Sequence, residues 1–174
     1  MSEIITIRAH PGFQKEFVRT NVDVCFGGGV LAAGKTFGAA LSTVEPSLDE
    51  NWRGLVVKNN IDDLKRGGGV IDTFSKELYS SSAILRMSEM PRLTFPNGAW
   101  IDFAHVADQS IGAIQRRFKS SQYDWIYFDE LTGFSWDAFK TLLTRNRGKS
   151  KYAGKCLATT NPERESWIRE FIDW

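Results

Sequence analysis

The chain is short of the side chains that build disulfides and metal cages. Its 174 residues include two cysteines, Cys25 and Cys156, and two histidines, and these are scattered without any zinc-ligand spacing. Both cysteines fall in apolar stretches that read as core strands, so they are expected as small buried hydrophobes in a reducing cytosol. No apolar run approaches the roughly 18 residues of a membrane span, so no membrane association is expected. The N-terminus does not have the profile of a signal peptide. There is no internal repeat and no low-complexity tract. Net charge is also scarce: +1 in total, which argues against a generally basic nucleic-acid binder. With 42% hydrophobic and 25% charged residues, one globular domain spanning 1–174 is expected, long enough to bury a proper core.

One shortage is local. No acidic residue lies between Asp137 and Glu163, an interval that holds Lys140, Arg145, Arg147, Lys149, Lys151 and Lys155. Such a run is either a solvated face or a basic edge turned toward DNA phosphates or a neighbour's nucleotide.

What is present is more specific. Val22 to Phe26 reads as a short strand, followed by glycines and then Gly34-Lys35-Thr36 at the opening of a helix. Gly29 to Thr36 fits G-x-x-x-x-G-K-[ST] without a mismatch. Glycines let successive N–H groups turn inward toward phosphate oxygens, and the helix start adds its positive end. In that pattern Gly29 and Gly34 cradle phosphate, Lys35 reaches the β- and γ-phosphates, and Thr36 holds Mg²⁺. Downstream, Asp124-Trp-Ile-Tyr-Phe-Asp129-Glu130 reads as a strand buried on both faces that ends in two carboxylates. Ligands of open α/β sheets bind at such carboxyl ends. Asp129 is the expected Mg²⁺ partner and Glu130 the base for an attacking water. Lys155 to Thr159 is another short buried strand running into Thr160-Asn161-Pro162. There Asn161 can touch both γ-phosphate and water, unless Asn-Pro is only a turn.

The remaining chain alternates strands and helices. Gly54–Val57 is a strand, and Ile61–Arg66 and Val70–Tyr79 are helical, separated by Gly67-Gly68-Gly69. Arg92–Phe95 and Trp100–Phe103 form a hairpin around Pro96-Asn97-Gly98, with Leu93, Phe95, Ile101 and Phe103 on one face. Ser135 caps a helix that buries Trp136, Phe139, Leu142 and Leu143, with Gly148 as its stop. The predicted fold is an α/β P-loop NTPase: a mostly parallel central sheet flanked by helices, with the hairpin as an antiparallel addition.

In order, these segments resemble the ATPase domain of the tailed-phage terminase large subunit, the motor that packages viral DNA. The matching residues are His10-Pro-Gly-Phe-Gln14, Val22-Asp-Val with the glycine-rich loop, and Gly54-Leu-Val-Val57 with Asp63-Leu64. They continue through Arg92-Leu-Thr-Phe-Pro-Asn-Gly98, Ile101-Asp-Phe-Ala-His105, and Tyr123 to Glu130 as the Walker B segment. Asn161-Pro162 with Trp167-Ile168 and Phe171-Ile172 completes the set as the coupling motif and following helix. The resemblance implies Mg²⁺-dependent ATP hydrolysis that drives double-stranded DNA into a procapsid. Implied partners are the portal protein, the small terminase subunit and further copies of the chain in a ring. The implied location is the host cytoplasm, at the portal vertex. It also implies that Gln14 pairs with adenine, with Phe13 or Phe17 against the ring.

Three departures stand out. Ala33 occupies a position that is often Gly or Ser in the family, and Lys58-Asn59-Asn60 follows the second strand where an arginine is frequent. The nuclease domain usual in the family is not expected within these residues, since no second cluster of acidic metal ligands follows Asn161. The phosphate loop, Val30-Leu31-Ala32-Ala33, also carries no arginine. Arg116 and Arg117, just before the Walker B strand, are the next candidate catalytic cations, unless they are only a solvated helix end or a DNA contact; the resemblance implies action on a neighbouring subunit, and Arg145 and Arg147 are in reserve. Two other functions fit the same motifs: a different DNA-dependent P-loop ATPase, or a nucleotide-binding assembly module that does not hydrolyse.

Overall fold

The structure, a computed structural model, describes residues 7–28, 34–161 and 166–171. Seven strands in these residues form one sheet: β1 (Val24–Gly27), β2 (Arg53–Lys58), β3 (Ile84–Arg86), β4 (Arg92–Thr94), β5 (Trp100–His105), β6 (Trp125–Phe128) and β7 (Lys155–Thr159). Their spatial order is β1-β7-β6-β2-β5-β4-β3. The five strands from β1 to β5 in that order pair in parallel, and β4 and β3 add antiparallel at one edge. The chain has the predicted P-loop-like α/β fold.

Each side of the sheet carries its own core. The period-2 alternation of a strand sends Trp125 and Tyr127 of β6 to one face and Ile126 and Phe128 to the other, all four nearly or fully buried. That two-sided burial is why the segment reads as continuously apolar. The first face is covered by α1 (Phe13–Arg19), α2 (Lys35–Leu41), α3 (Ile61–Lys65) and α4 (Val70–Asp72), which runs on as a π-helical stretch, Thr73–Leu78. The second is covered by α5 (Ile111–Arg117), α6 (Trp136–Leu143) and the short 3₁₀ turn Trp167–Phe171. Trp167 donates its indole N–H to the Phe134 carbonyl at 2.7 Å, which ties that turn down. No helix among the described residues is long and apolar enough to cross a membrane.

Several sequence expectations match in detail. Ser135 caps α6 by accepting from the Ala138 N–H at 3.2 Å, and helix is interrupted between α3 and α4. Leu93, Phe95, Ile101 and Phe103 share the first core. Four details differ. Trp136, expected on the buried side of α6, is exposed. The second hairpin arm, β5, is no addition: it pairs residue for residue with β2 as a parallel core strand. β1 starts at Val24, and Val22 is exposed; among the described residues β1 is an edge strand, paired only with β7. Gly148 does not stop α6, which ends at Leu143.

Gly148 has another reason to be glycine: a Cβ there would stand 2.0 Å from Asp124 Oδ1. The Asp124 carboxylate is fully buried and accepts from two backbone N–H groups, those of Arg53 and Ser150, each at 2.8 Å. It thereby pins the basic loop after α6 to the start of β2. Removing it strands two buried donors, so Asp124→Ala should cost about 2–5 kcal/mol in urea unfolding. A loss below about 1 kcal/mol would mean the loop relaxes to find water instead.

Candidate active site

The carboxyl ends of the parallel strands finish level with one another. The Asp129 N–H donates to the Val57 carbonyl and the Thr160 N–H to the Gly27 carbonyl, both at 3.0 Å. The ends of β1, β7, β6 and β2 thus form a common rim, with β7 between the phosphate-loop strand and the carboxylate strand. Above the rim lies a cavity of about 320 Å³. Its floor and near wall are Lys35 and Thr36 of α2, Lys58 of β2, Asp129, Glu130 and Thr159 to Asn161. Asp63, Arg66, Gly68, Gly69, Val70 and Thr73 close the far side.

Residues distant in sequence meet here. Lys35 Nζ donates to Asn161 Oδ1 and, at 3.5 Å, to the Thr160 carbonyl. The phosphate-loop lysine thus touches the polar tip of β7. Thr36 Oγ1 lies 3.4 Å from Asp129 Oδ1. Asp129 is buried and heavily hydrogen-bonded: Tyr127 O–H donates to Oδ1 at 2.8 Å and Lys58 Nζ to Oδ2 at 2.7 Å. The Tyr127 hydroxyl also lies 2.8 Å from Thr159 Oγ1, linking β6 to β7 beneath the site. Burial and the Asp129 charge push the Tyr127 pKa well above its ordinary value, so the phenol stays a neutral donor.

Glu130 is the exposed member of the carboxylate pair, with 56% of its side chain accessible. Its φ of 59° places it in the left-handed region, uncommon for a residue with a side chain. Its Oε2 lies 3.2 Å from Lys58 Nζ. Burial lowers the Lys58 pKa, but the charges and hydrogen bonds of Asp129 and Glu130 outweigh it and the net shift is upward. Lys58 is therefore a fixed cation.

The other sequence candidates lie elsewhere. Gln14 is buried against Gly34: its carbonyl accepts from the His10 N–H at 2.9 Å and its amide donates to the Gly34 carbonyl at 3.0 Å. Gly34 has φ 63°, and a Cβ there would meet Gln14 Nε2 at 2.1 Å, so close packing and left-handed backbone both require glycine. Gly29 and Val30 to Ala33 lie outside the described residues, as do Pro162 and Ile172. Arg116 and Arg117 end α5 on the second face, and neither is among the described residues lining the cavity. Arg117 adds its charge to burial in lowering the His105 pKa, which sets it near the carboxyl end of β5. The Arg145 carbonyl accepts from the Tyr123 N–H at 2.9 Å, at the opposite end of β6 from Asp129. Among the described residues, the arginine lining this chain's own cavity is Arg66, paired with Asp63 at 2.9 Å.

The model of the family described as terminase large subunit, T4likevirus-type, N-terminal matches residues 27–174. The chain belongs to the terminase large subunit family. No curated protein matches it. Among solved structures, the large terminase of a thermophilic bacteriophage superposes with a TM-score of 0.69 at 17% identity, covering 91% of this chain and 41% of that one. The large terminase ATPase domain of Thermus phage P74-26 gives 0.58 at 13% identity, covering 92% and 68%. The first of these phages' large terminase, in complex with ATP-γ-S, gives 0.60 at 19% identity, covering 86% and 37%. This chain therefore spans about two fifths of that large terminase chain, and at these identities the likeness speaks for the fold.

The donor set at the rim suits a nucleotide with its divalent ion. Lys35 and Lys58 offer positive charge to phosphates, while the Thr36 hydroxyl and the Asp129 carboxylate are hard oxygen donors. No cluster of three or more His, Cys, Asp or Glu among the described residues could cage a metal by itself. An ion here would complete its shell with phosphate and water oxygens.

Proposed function

We propose that this terminase domain is a Mg²⁺-dependent ATPase whose turnover drives viral double-stranded DNA into a procapsid. The convergence of Lys35, Thr36, Asp129, Glu130 and Asn161 on one cavity supports it. Lys35 neutralises the β- and γ-phosphates. Glu130, exposed to the cavity, takes the proton of a water whose oxygen attacks the γ-phosphorus, and ADP departs with its bridging oxygen. Thr36 and Asp129 would hold Mg²⁺, which would supply further neutralisation of the phosphate charge. Asn161, hydrogen-bonded to Lys35, responds to the γ-phosphate in this reading. Gln14 holds Gly34 at the phosphate-loop end of the site, and pairing with the adenine edge is its other proposed role. The portal protein, the small terminase subunit and further copies in a ring are the proposed partners, at the portal vertex in the host cytoplasm.

Lys35→Ala tests the site. Loss of a fixed charge on the transferring group should lower kcat/KM for ATP by roughly 10²-fold or more, with weakened binding of a fluorescent ADP analogue. Near-normal hydrolysis in that variant would make the glycine-rich loop purely structural.

A further inference from the structure

Lys58 does something the nucleotide-site reading does not require. Its ammonium sits between the two carboxylates, 2.7 Å from Asp129 Oδ2 and 3.2 Å from Glu130 Oε2, and only 9% of its side chain is accessible. The other oxygen of Asp129, Oδ1, is approached by Tyr127 O–H at 2.8 Å and by the Thr36 and Thr159 hydroxyls at 3.4 Å each. Both oxygens of the expected metal-binding carboxylate are therefore engaged by the chain's own donors. A divalent ion approaching Asp129 meets a carboxylate pair whose double negative charge has been halved by a cation buried beside it.

We propose that Lys58 is an internal stand-in for the divalent ion: it holds Asp129 and Glu130 together before nucleotide arrives and keeps a free divalent ion out. The ion then enters only as its nucleotide complex, whose phosphates bring the negative charge needed to offset Lys58. Lys58 is thus a positioning residue that sets the order of binding. It lies at the carboxyl end of a parallel strand and lines the same cavity as Lys35, so the displaced ammonium stays beside the incoming phosphates.

This inference rests on the nucleotide-site reading, and one titration separates the two. Mn²⁺ is added to wild-type protein, Lys58→Met and Lys58→Gln, and free Mn²⁺ is followed by electron paramagnetic resonance, with and without ADP. Wild type should take up Mn²⁺ with ADP and show no saturable uptake without it. Lys58→Met should bind Mn²⁺ alone at least about tenfold more tightly than wild type, because two adjacent carboxylates lose their counter-ion. Adding Asp129→Asn to Lys58→Met should abolish that uptake. Lys58→Gln, which still donates hydrogen bonds to both carboxylates but carries no charge, should behave as Lys58→Met does and serves if the methionine protein does not fold. Wild type that binds Mn²⁺ with ADP, alongside variants with no greater affinity for Mn²⁺ alone, would overturn the stand-in role and leave the nucleotide site intact. Absence of Mn²⁺–ADP uptake by wild type would overturn both.

Discussion

Glu130→Gln should hold nucleotide as tightly as wild type and hydrolyse it about 10²–10⁴-fold more slowly, the range that a positioned general base contributes. The amide keeps the shape of the side chain but cannot take a proton from water. Binding should survive because Glu130 is the exposed carboxylate, while the buried Asp129 carries the contacts to Thr36, Tyr127 and Lys58. The neighbouring substitution should split the other way: Asp129→Asn removes a charged oxygen donor and should raise the Mg²⁺ concentration needed for half-maximal turnover. Single-turnover hydrolysis and ADP binding, measured across Mg²⁺ concentration, distinguish the two. If Glu130→Gln turns over like wild type, the base lies elsewhere. The left-handed backbone of Glu130 would then serve only to turn the chain after β6.

How far these roles could be seen in the sequence depended on how local each signal is. The Gly34-Lys35-Thr36 step and the Asp129-Glu130 pair announce themselves, because each needs fixed residue types within a few positions and an apolar strand in front. The two-sided burial of β6 follows from its unbroken apolar run. β5 was harder. Its hairpin turn is visible locally, but whether its far edge meets another strand depends on β2, more than 40 residues earlier in the chain. Gly148 shows the same limit: its neighbour is Asp124, on the other side of α6, so a local reading makes it a helix stop. Lys58 reads in the sequence only as a lysine where the family often has an arginine, and nothing local shows that it meets Asp129, 71 residues further along the chain. The cue was its position at the carboxyl end of a strand with no polar residue in Leu55-Val-Val57, where a ligand site is expected. Arg66 reaches the cavity only because the glycines after it fold the loop back across the site, and no short-range pattern carries that.

If Arg116 or Arg117 completes the site of an adjacent subunit, the isolated chain should bind ATP and turn it over slowly, with activity per subunit rising as copies assemble. Both residues end α5 away from this chain's own cavity, while Arg116 is exposed on the surface a neighbour could meet. An arginine of this kind is worth about 10³–10⁵ in rate, roughly 4–7 kcal/mol at the transition state. The Arg116→Ala/Arg117→Ala protein should therefore be nearly inactive under ring-forming conditions, and so should Glu130→Gln. Mixing the two should restore part of the activity, because a Glu130→Gln subunit can lend its arginines to a neighbour that retains Glu130. Recovery in the mixture, absent from either protein alone, cannot come from a cation acting within one chain. Arg66→Ala supplies the contrast: if the chain uses the arginine in its own cavity, that variant loses turnover at every concentration and mixing with Glu130→Gln returns nothing. Activity per subunit that stays flat from dilute to concentrated protein, together with a double arginine variant as active as wild type, would remove Arg116 and Arg117 from the chemistry and leave Arg66 to be tested first.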